Sequence, residues 1–240
     1  MKLIDDYTLI SGASHRCGDI LIYPPTLGDI RDVGYETYRG FLSLFLMSQH
    51  DIYELFDLAG DESISKFSPI QLITIIPPLR ATLLGALSFF LHREVCYSPS
   101  TGFFLDDNTP LSLAQILDIR KVILAFCNIE DKTAQEPVTF ASEKARRIYE
   151  KAQAGRAQLK GKNGSQEADL ELPNLIAAVS TYSPTYNLLN IWGLTVYQLY
   201  DQFARLSGKL QLDVFGQKWA AWGTEDFDFS LWYKALSKST

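Results

Sequence analysis

The stretch IWGLTVYQLYDQFARL, residues 191–206, decides the fold. Its apolar residues recur at steps of three and four, which places them on one face of an α-helix. The opposite face is polar, and a helix this aromatic is expected to be mostly buried, so other helices must pack on it. The apolar face comprises Leu194, Tyr197, Leu199, Tyr200, Phe203 and Leu206.

Aromatic residues are concentrated around this helix. All four tryptophans follow residue 190, and the stretch QKWAAWGTEDFDFSLWY, residues 217–233, comes after a predicted polar turn. Aromatic side chains usually form a core, but Trp and Tyr are also the common anchors of protein interfaces. We therefore predict a partner-binding patch, and we expect several of its members to belong to the core. The aromatic members are Tyr186, Trp192, Trp219, Trp222 and Trp232.

The whole sequence predicts a mainly α, multi-helix globular fold with one or two small β-hairpins. One hairpin is expected between residues 7–12 and 20–24, around a Gly-Ala-Ser-His-Arg-Cys-Gly loop, and the other near residues 94–105. Thr26 is a good N-cap for a short helix that Gly34 closes. The core is expected to be built from helices over residues 35–48, 79–92, 112–127 and 191–206.

The composition is typical of a folded soluble protein. The chain has 240 residues, of which 47% are hydrophobic and 21% charged, and its net charge is -6. Such an acidic chain lacks the basic surface of most nucleic-acid-binding proteins. The three cysteines are far apart and odd in number, so we expect neither a disulfide framework nor a zinc site, and the cytoplasm fits best. The longest apolar run, residues 79–91, is too short for a membrane span, and residues 1–10 do not resemble a signal peptide.

Changes of composition divide the chain into three parts. Residues 1–128 are expected to form a helical N-terminal domain with the small hairpins. Residues 129–169 are expected to form a basic helix and a flexible linker that ends in GKNGSQEAD. Residues 170–240 are expected to form an aromatic-rich helical C-terminal unit, and whether it packs on the first domain is left open.

The basic helix is predicted at residues 141–162, where seven lysines and arginines accompany two glutamates. Such charge runs are usually a solvated helix face, and this interpretation stays open. The functional alternative is docking to an acidic protein partner, for which Arg146, Arg147 and Lys151 are the candidates. Specific nucleic-acid binding is not expected, because Tyr149 is the only interleaved aromatic residue.

The sequence contains no recognisable catalytic, metal or cofactor motif. His15, Arg16 and Cys17 are adjacent in a predicted loop, but a Cys–His nucleophile needs two apposed side chains and a third group that orients them. Asp106 and Asp107 lack the further oxygen ligands of a calcium loop and predict a turn. Neither HExxH, GxSxG nor a phosphate-binding loop motif occurs. We therefore expect no enzyme activity, no metal and no cofactor.

Three stretches carry a resemblance to known proteins. They are YPPTLGDIRDVGYETYRGFLSLF (residues 23–45), the basic EKARRIYEKAQAGRAQLK (143–160), and LIAAVSTYSPTYNLLNIWGLTVYQLYDQFARL with WAAWGTEDFDFSLWYK (175–206 and 219–234). Together they resemble a group of uncharacterised proteins from tailed bacteriophages and prophages of Gram-positive bacteria. The resemblance covers most of the chain, and IWGLTVYQLYDQF is long enough to be specific for the group.

The resemblance implies a role in virion morphogenesis, above all in tail assembly. Tail assembly chaperones are soluble, mostly helical, acidic cytoplasmic proteins that hold the tape measure protein before the tube polymerises around it. This chain is similar in character but departs in size, since many such chaperones are shorter or are extended by a translational frameshift. The expected function is a tail assembly chaperone in the host cytoplasm, with the tape measure protein or another tail component as partner.

Two alternatives to the chaperone stay open. The first is a structural component of the virion, in its tail, baseplate or neck, which would form a symmetric homo-oligomer. The second, less favoured, is a small phage enzyme or host-takeover factor.

Overall fold

The chain folds as a mainly α-helical protein with two small antiparallel sheets, which confirms the predicted fold class. The computed structural model describes residues 3–58, 66–129 and 171–223. The chain divides into two compact units: unit 1 comprises Met1–Thr133 and Trp192–Gln198, and unit 2 comprises Ala134–Ile191 and Leu199–Thr240. The predicted basic helix at 141–162 and the linker after it lie outside the described residues, and the predicted three-part division stays a prediction.

Nine α-helices and five strands lie within the described ranges. The helices are α1 (Asp6–Ser11), α2 (Leu27–Val33), α3 (Tyr35–Leu46), α4 (Gln49–Phe56), α5 (Pro69–Ile75), α6 (Pro77–Leu91), α7 (Leu113–Phe126), α8 (Leu172–Tyr182) and α9 (Val196–Trp222). The strands are β1 (His15–Cys17), β2 (Ile20–Ile22), β3 (Val95–Ser98), β4 (Gly102–Leu105) and β5 (Pro110–Leu111). A short 3-10 helix, Ile191–Gly193, precedes α9.

The first hairpin is shorter than the sequence predicts. The prediction of a strand at residues 7–12 is wrong, because most of these residues belong to α1. The Asp5 side chain accepts a hydrogen bond from the Thr8 N–H at 2.8 Å and caps this helix, and Gly12 ends it with a φ of 69°. The hairpin instead pairs β1 with β2, and His15 lies opposite Ile22. The predicted loop at residues 15–17 is therefore also wrong, because these residues form β1.

The second hairpin forms where the sequence predicts it. β3 pairs with β4 in antiparallel register, with Val95 opposite Leu105. Arg93 forms ion pairs with the two carboxylates of the turn that follows β4, at 2.9 Å for Asp107, and the predicted turn is confirmed. β5 adds a third strand at Pro110–Leu111, which the sequence does not predict, and it lies directly before the helix that begins at Leu113.

Hydrogen-bonding caps determine where several helices of unit 1 begin. The Thr26 hydroxyl accepts a hydrogen bond from the Asp29 N–H at 3.1 Å, and the Asp29 carboxylate accepts one from the Thr26 N–H at 2.9 Å. This reciprocal pair confirms Thr26 as the N-cap of α2, and Gly34 ends the helix as predicted. Ser48 caps α4 and Ser112 caps α7 in the same way.

α6 lies at the centre of unit 1. It packs against α3, α5 and β2, and its residues Leu83, Leu87 and Phe90 are fully buried. The ring of Phe45, from α3, lies 6.2 Å from the ring of Phe90. The helices predicted over residues 35–48 and 79–92 are thus confirmed as α3 and α6, which build the core as expected.

α7 completes this core by packing against α3 and α5. The guanidinium Nε of Arg120 donates a hydrogen bond to the Phe45 carbonyl at 2.6 Å, which satisfies a polar group within the packed interior. The Tyr38 hydroxyl donates to the Cys127 thiol at 3.2 Å. The helix predicted over residues 112–127 is confirmed as α7.

A short segment from the C-terminal half of the sequence belongs to unit 1. Residues 192–198 form two main-chain hydrogen bonds with residues at the start of α2. The Leu27 N–H donates to the Leu194 carbonyl at 2.9 Å, and the Val196 N–H donates to the Pro25 carbonyl at 3.1 Å. Unit 1 therefore includes a segment that is distant in the sequence from the rest of the unit.

The C-terminal helix is longer than predicted. The aromatic stretch at 191–206 is helical, as a 3-10 turn followed by α9, but α9 continues to Trp222, so the predicted polar turn after Leu206 is wrong. Gly208 and Gly216 lie inside the helix, where each weakens it by about 1 kcal/mol without ending it. Gly223 ends α9 with a φ of 56°.

No single helix in the described parts of the chain is long and apolar enough to cross a membrane. α5 and α6 meet the requirement of length and composition only when they are taken together, and they are bent by 104° relative to each other.

Candidate interaction surface

The described part of unit 2 starts with α8 and an exposed loop. Within α8, Leu172, Leu175 and Val179 share one face and are buried. In the loop that follows, Leu188 is 61% and Leu189 is 91% exposed. This loop therefore adds apolar area to the exposed surface of the described part of unit 2.

The distal half of α9 exposes a row of aromatic residues. Between residues 207 and 222, only Leu212 is buried. From Leu212, steps of three, four and three lead to Phe215, Trp219 and Trp222, and this spacing keeps all four on one helix face. Phe215 is 48%, Trp219 49% and Trp222 69% exposed. We call these four residues the aromatic seam.

The aromatic seam has the properties of an interaction surface. Large side chains that are singly exposed are normal, but a continuous apolar row on one helix face marks a site for another protein or a ligand. Trp anchors many such interfaces, because it buries a large area with little loss of side-chain freedom. The seam is therefore the strongest candidate site in the described part of unit 2.

The structure separates the predicted partner-binding residues. Trp219 and Trp222 lie together on the aromatic seam. Tyr186 lies in the loop after α8, half-buried, and its N–H donates to the Ser183 hydroxyl at 3.1 Å. Trp192 belongs to unit 1, where it is half-buried.

Trp192 has a structural role in unit 1. The guanidinium carbon of Arg31 lies 5.5 Å from the centre of its ring, which is a cation–π distance. The main-chain carbonyl of Trp192 lies 3.2 Å from the position that a Cβ would take at Gly28, so the two segments approach closely. The remaining predicted residues, Trp232, Arg146, Arg147 and Lys151, lie outside the described ranges, and their role in binding stays a prediction.

Sequence reasoning missed Leu212 and Phe215 as members of the site. It also missed the exposed pair Leu188 and Leu189. The spacing of the seam was readable in the sequence, but the turn predicted after residue 206 separated these residues from the two tryptophans. Once residues 196–222 form one helix, the four positions fall on one line.

A separate cavity of about 280 Å³ lies in unit 1. Its lining includes several polar side chains, but these groups already have structural partners. The Asp29 carboxylate also accepts a hydrogen bond from the Thr26 hydroxyl at 2.7 Å, and the His92 ring stacks on the Tyr23 ring at 4.5 Å. His92 itself ends α6, as the sequence predicts. This cavity therefore points to no particular ligand.

The pair His15 and Cys17 does not have the properties of a catalytic nucleophile. Both are half-buried strand residues, and burial together with the nearby charge of Asp118 raises the pKa of the Cys17 thiol. A reactive cysteine needs the opposite shift, because the thiolate is the nucleophile. Cys17, Cys96 and Cys127 are all free thiols, and no group of three His, Cys, Asp or Glu side chains among the described residues is arranged to hold a metal ion.

Comparison with known proteins connects the C-terminal part of the chain to bacteriophages. Residues 162–237 match the family model described as YomV second domain. This family is associated with phages and prophages, and YomV itself comes from a Bacillus prophage. The match includes the whole aromatic seam, and it supports a phage origin in Gram-positive bacteria. No curated protein and no solved structure matches the chain.

Proposed function

We propose that the protein is a bacteriophage tail morphogenesis protein that acts by protein–protein interaction. In its most specific version, the proposal is that the protein is a tail assembly chaperone that holds the tape measure protein in the host cytoplasm. The proposal combines the match of residues 162–237 to a phage family with the exposed apolar surface of the same part of the chain. It includes no catalytic step.

The observation that carries the proposal is the exposure of the aromatic seam. Trp222 is 69% exposed at the end of a long helix, and Phe215 is 48% exposed two turns earlier. Apolar surface of this kind is removed from water when a partner covers it, which favours binding by about 25 cal/mol for each Å² buried. An assembly chaperone needs such a surface, because it must hold an apolar segment of another protein without covalent chemistry.

A second candidate function is a structural component of the virion. In that case the seam would be covered permanently by a neighbouring subunit, and the protein would form a closed oligomer. Both candidate functions use the aromatic seam. They differ in whether the protein is part of the finished particle. An enzyme or host-takeover factor remains the third alternative and rests on no feature of the described residues.

The proposal is tested by co-expressing the full-length chain, carrying an affinity tag, with the tape measure protein encoded by the same phage. The wild-type chain is expected to retain the tape measure protein on the resin. A double variant with Phe215→Ala and Trp222→Ala is expected to lose more than about 30-fold in affinity, since the loss of one hot-spot residue alone costs about 30-fold.

The matched control for this experiment is Tyr7→Ala. Tyr7 is an aromatic residue of unit 1 that is 82% exposed, so its loss removes a similar side chain from a different surface. The control is expected to retain the tape measure protein as well as the wild type does. If the wild-type chain does not retain the tape measure protein, the proposed chaperone function is wrong.

A further inference from the structure

The aromatic seam is flanked by positive charge. If Leu212 and Trp219 are the a positions of a heptad and Phe215 and Trp222 the d positions, the flanking e and g positions within residues 209–218 are Lys209, Gln211, Gly216 and Lys218. Two of the four flanking residues are lysines and none is acidic. The nearest acidic residue, Asp213, occupies a b position, outside the flanks.

Neither flanking lysine has a carboxylate within ion-pair distance among the described residues, and the carboxylate that comes nearest in the helix is Asp213, one turn after Lys209. Lys209 and Lys218 are exposed. Two other cations on helices do form ion pairs, Arg205 with Asp201 at 2.7 Å and Lys121 with Asp118 at 2.8 Å. One lysine lies on each side of the seam, near its two ends.

We propose that the aromatic seam binds an amphipathic α-helix of a partner protein, with apolar residues at steps of three and four and Asp or Glu on both sides of that stripe. This inference rests on the proposed function and names the chemistry of the partner. Apolar side chains of the partner helix pack against the exposed members of the seam, Phe215, Trp219 and Trp222, as side chains pack in a coiled coil. The partner carboxylates face Lys209 and Lys218, and these charge pairs select the partner and its orientation.

The length of the seam sets the size of the partner helix. Residues 212–222 cover about 15 Å of helix axis, or about three turns. A partner segment of about 11 to 14 residues matches this length. Such a site is similar to helix-in-groove recognition, in which a few apolar residues on one helix face supply most of the affinity.

Charge argues against a second copy of the chain as the occupant. Two seams that pair with each other bring lysine, glutamine and glycine to the flanks, and no carboxylate faces either lysine. The basic stretch at residues 141–162, with seven cations and two carboxylates, is equally poor as an occupant. An acidic amphipathic helix satisfies both the apolar row and the lysines.

The test uses two synthetic 14-residue peptides that share the same leucines at the a and d positions. One carries Glu and the other Lys at the e and g positions. Binding of each fluorescently labelled peptide to the full-length chain is measured by anisotropy at low salt. The Glu peptide is expected to bind the wild type about fivefold more tightly than the Lys peptide, since two exposed charge pairs change from attraction to repulsion.

Charge reversal makes this test specific. A variant with Lys209→Glu and Lys218→Glu is expected to prefer the Lys peptide, while a variant with Lys66→Glu and Lys121→Glu has the same net charge and is expected to keep the wild-type preference. High salt is expected to reduce the preference in both cases. Equal binding of the two peptides, or the same preference in both double variants, would overturn the inference.

Other occupants give different results. A wild-type chain that sediments as a dimer and becomes monomeric on Trp222→Ala would assign the seam to a second copy and overturn the inference. Failure of the wild type to bind either peptide, as when a segment of the same chain covers the seam, would overturn it too. The peptide experiment contains no phage component, so a positive result beside a failed tape measure experiment rejects the proposed function alone.

Discussion

Two tryptophans that look equivalent in the sequence should respond differently to the same substitution. Trp192 belongs to unit 1 and is half-buried, whereas Trp222 ends α9 and is 69% exposed. We expect Trp192→Ala to destabilise the fold more strongly than Trp222→Ala does. The comparison tests whether the structure assigns core and surface correctly among the aromatic residues.

The magnitudes follow from the burial of each side chain. Replacing a fully buried Trp by Ala costs about 3–5 kcal/mol. Only about a third of Trp222 is buried, so its replacement should cost about 1 kcal/mol. Trp192 is more buried and also loses the contact with Arg31, worth about 0.5–1 kcal/mol, so its replacement should cost about 2–4 kcal/mol.

Urea unfolding followed by far-ultraviolet circular dichroism measures both free energies. The slope of the free energy against urea concentration should be the same for both variants, so that the shift of the midpoint reports stability alone. Binding of the Glu peptide is measured in parallel and should be weakened about 30-fold by Trp222→Ala and little changed by Trp192→Ala. A loss of stability that is equal in the two variants, or larger for Trp222→Ala, would refute the assignment.

Three further predictions concern unit 1. Gly12→Ala should lower the free energy of unfolding by about 2–3 kcal/mol, because φ is 69° and the new Cβ would lie 3.1 Å from the Gln198 side chain. Gly18→Ala should lower it by only about 1 kcal/mol, because φ is similar, at 62°, but no atom lies within 4 Å of the new Cβ. Equal losses in urea unfolding would argue against the close approach at Gly12. Burial raises the pKa of Cys127 from its ordinary 9.0 to about 12, so stability is complete below about pH 9 and is lost as the pH rises towards 12. Between about pH 8 and pH 11 the wild type should lose about 3 kcal/mol more stability than Cys127→Ala, and equal losses would contradict the burial of this thiol. Thr26→Ala removes the N-cap of α2 and should cost about 1 kcal/mol, as measured by thermal unfolding beside a variant at the exposed Thr37, which should be close to neutral.

Local signals made most of unit 1 predictable from its sequence. Thr26 with Asp29 three residues later is a capping box, and its position determines the start of α2. The apolar spacing of α3 and α6 identified the two helices that form the centre of the core. These features depend on residues that are neighbours in the sequence, which is why sequence reasoning finds them.

The errors arose where a local signal was weak or where the partner was distant. Residues 7–12 are rich in residues that favour strands, and only the Asp5 cap and Gly12 show that they form α1. β5 exists because it pairs with β4, and two residues carry no signal of their own. The docking of Leu194 against Leu27 joins residues far apart in the chain, which no local pattern could reveal.

The candidate site was predictable in part. The sequence identified the tryptophans of the seam as partner-binding candidates. It did not separate them from buried aromatic residues, because exposed and buried aromatic residues look the same in the composition. Phe215 and Leu212 became visible only when residues 196–222 proved to be one helix. The lysines can be recognised as flanking residues only when residues 196–222 form one continuous helix, because that continuity defines the heptad positions.

The central claim, an assembly factor that holds a partner through the aromatic seam, is tested most directly by quantitative mass spectrometry of purified virions beside the lysate of infected or induced cells. An assembly chaperone should be abundant in the lysate and absent from the virions. Its presence in purified virions at a fixed copy number would contradict the chaperone assignment and identify the chain as a structural subunit.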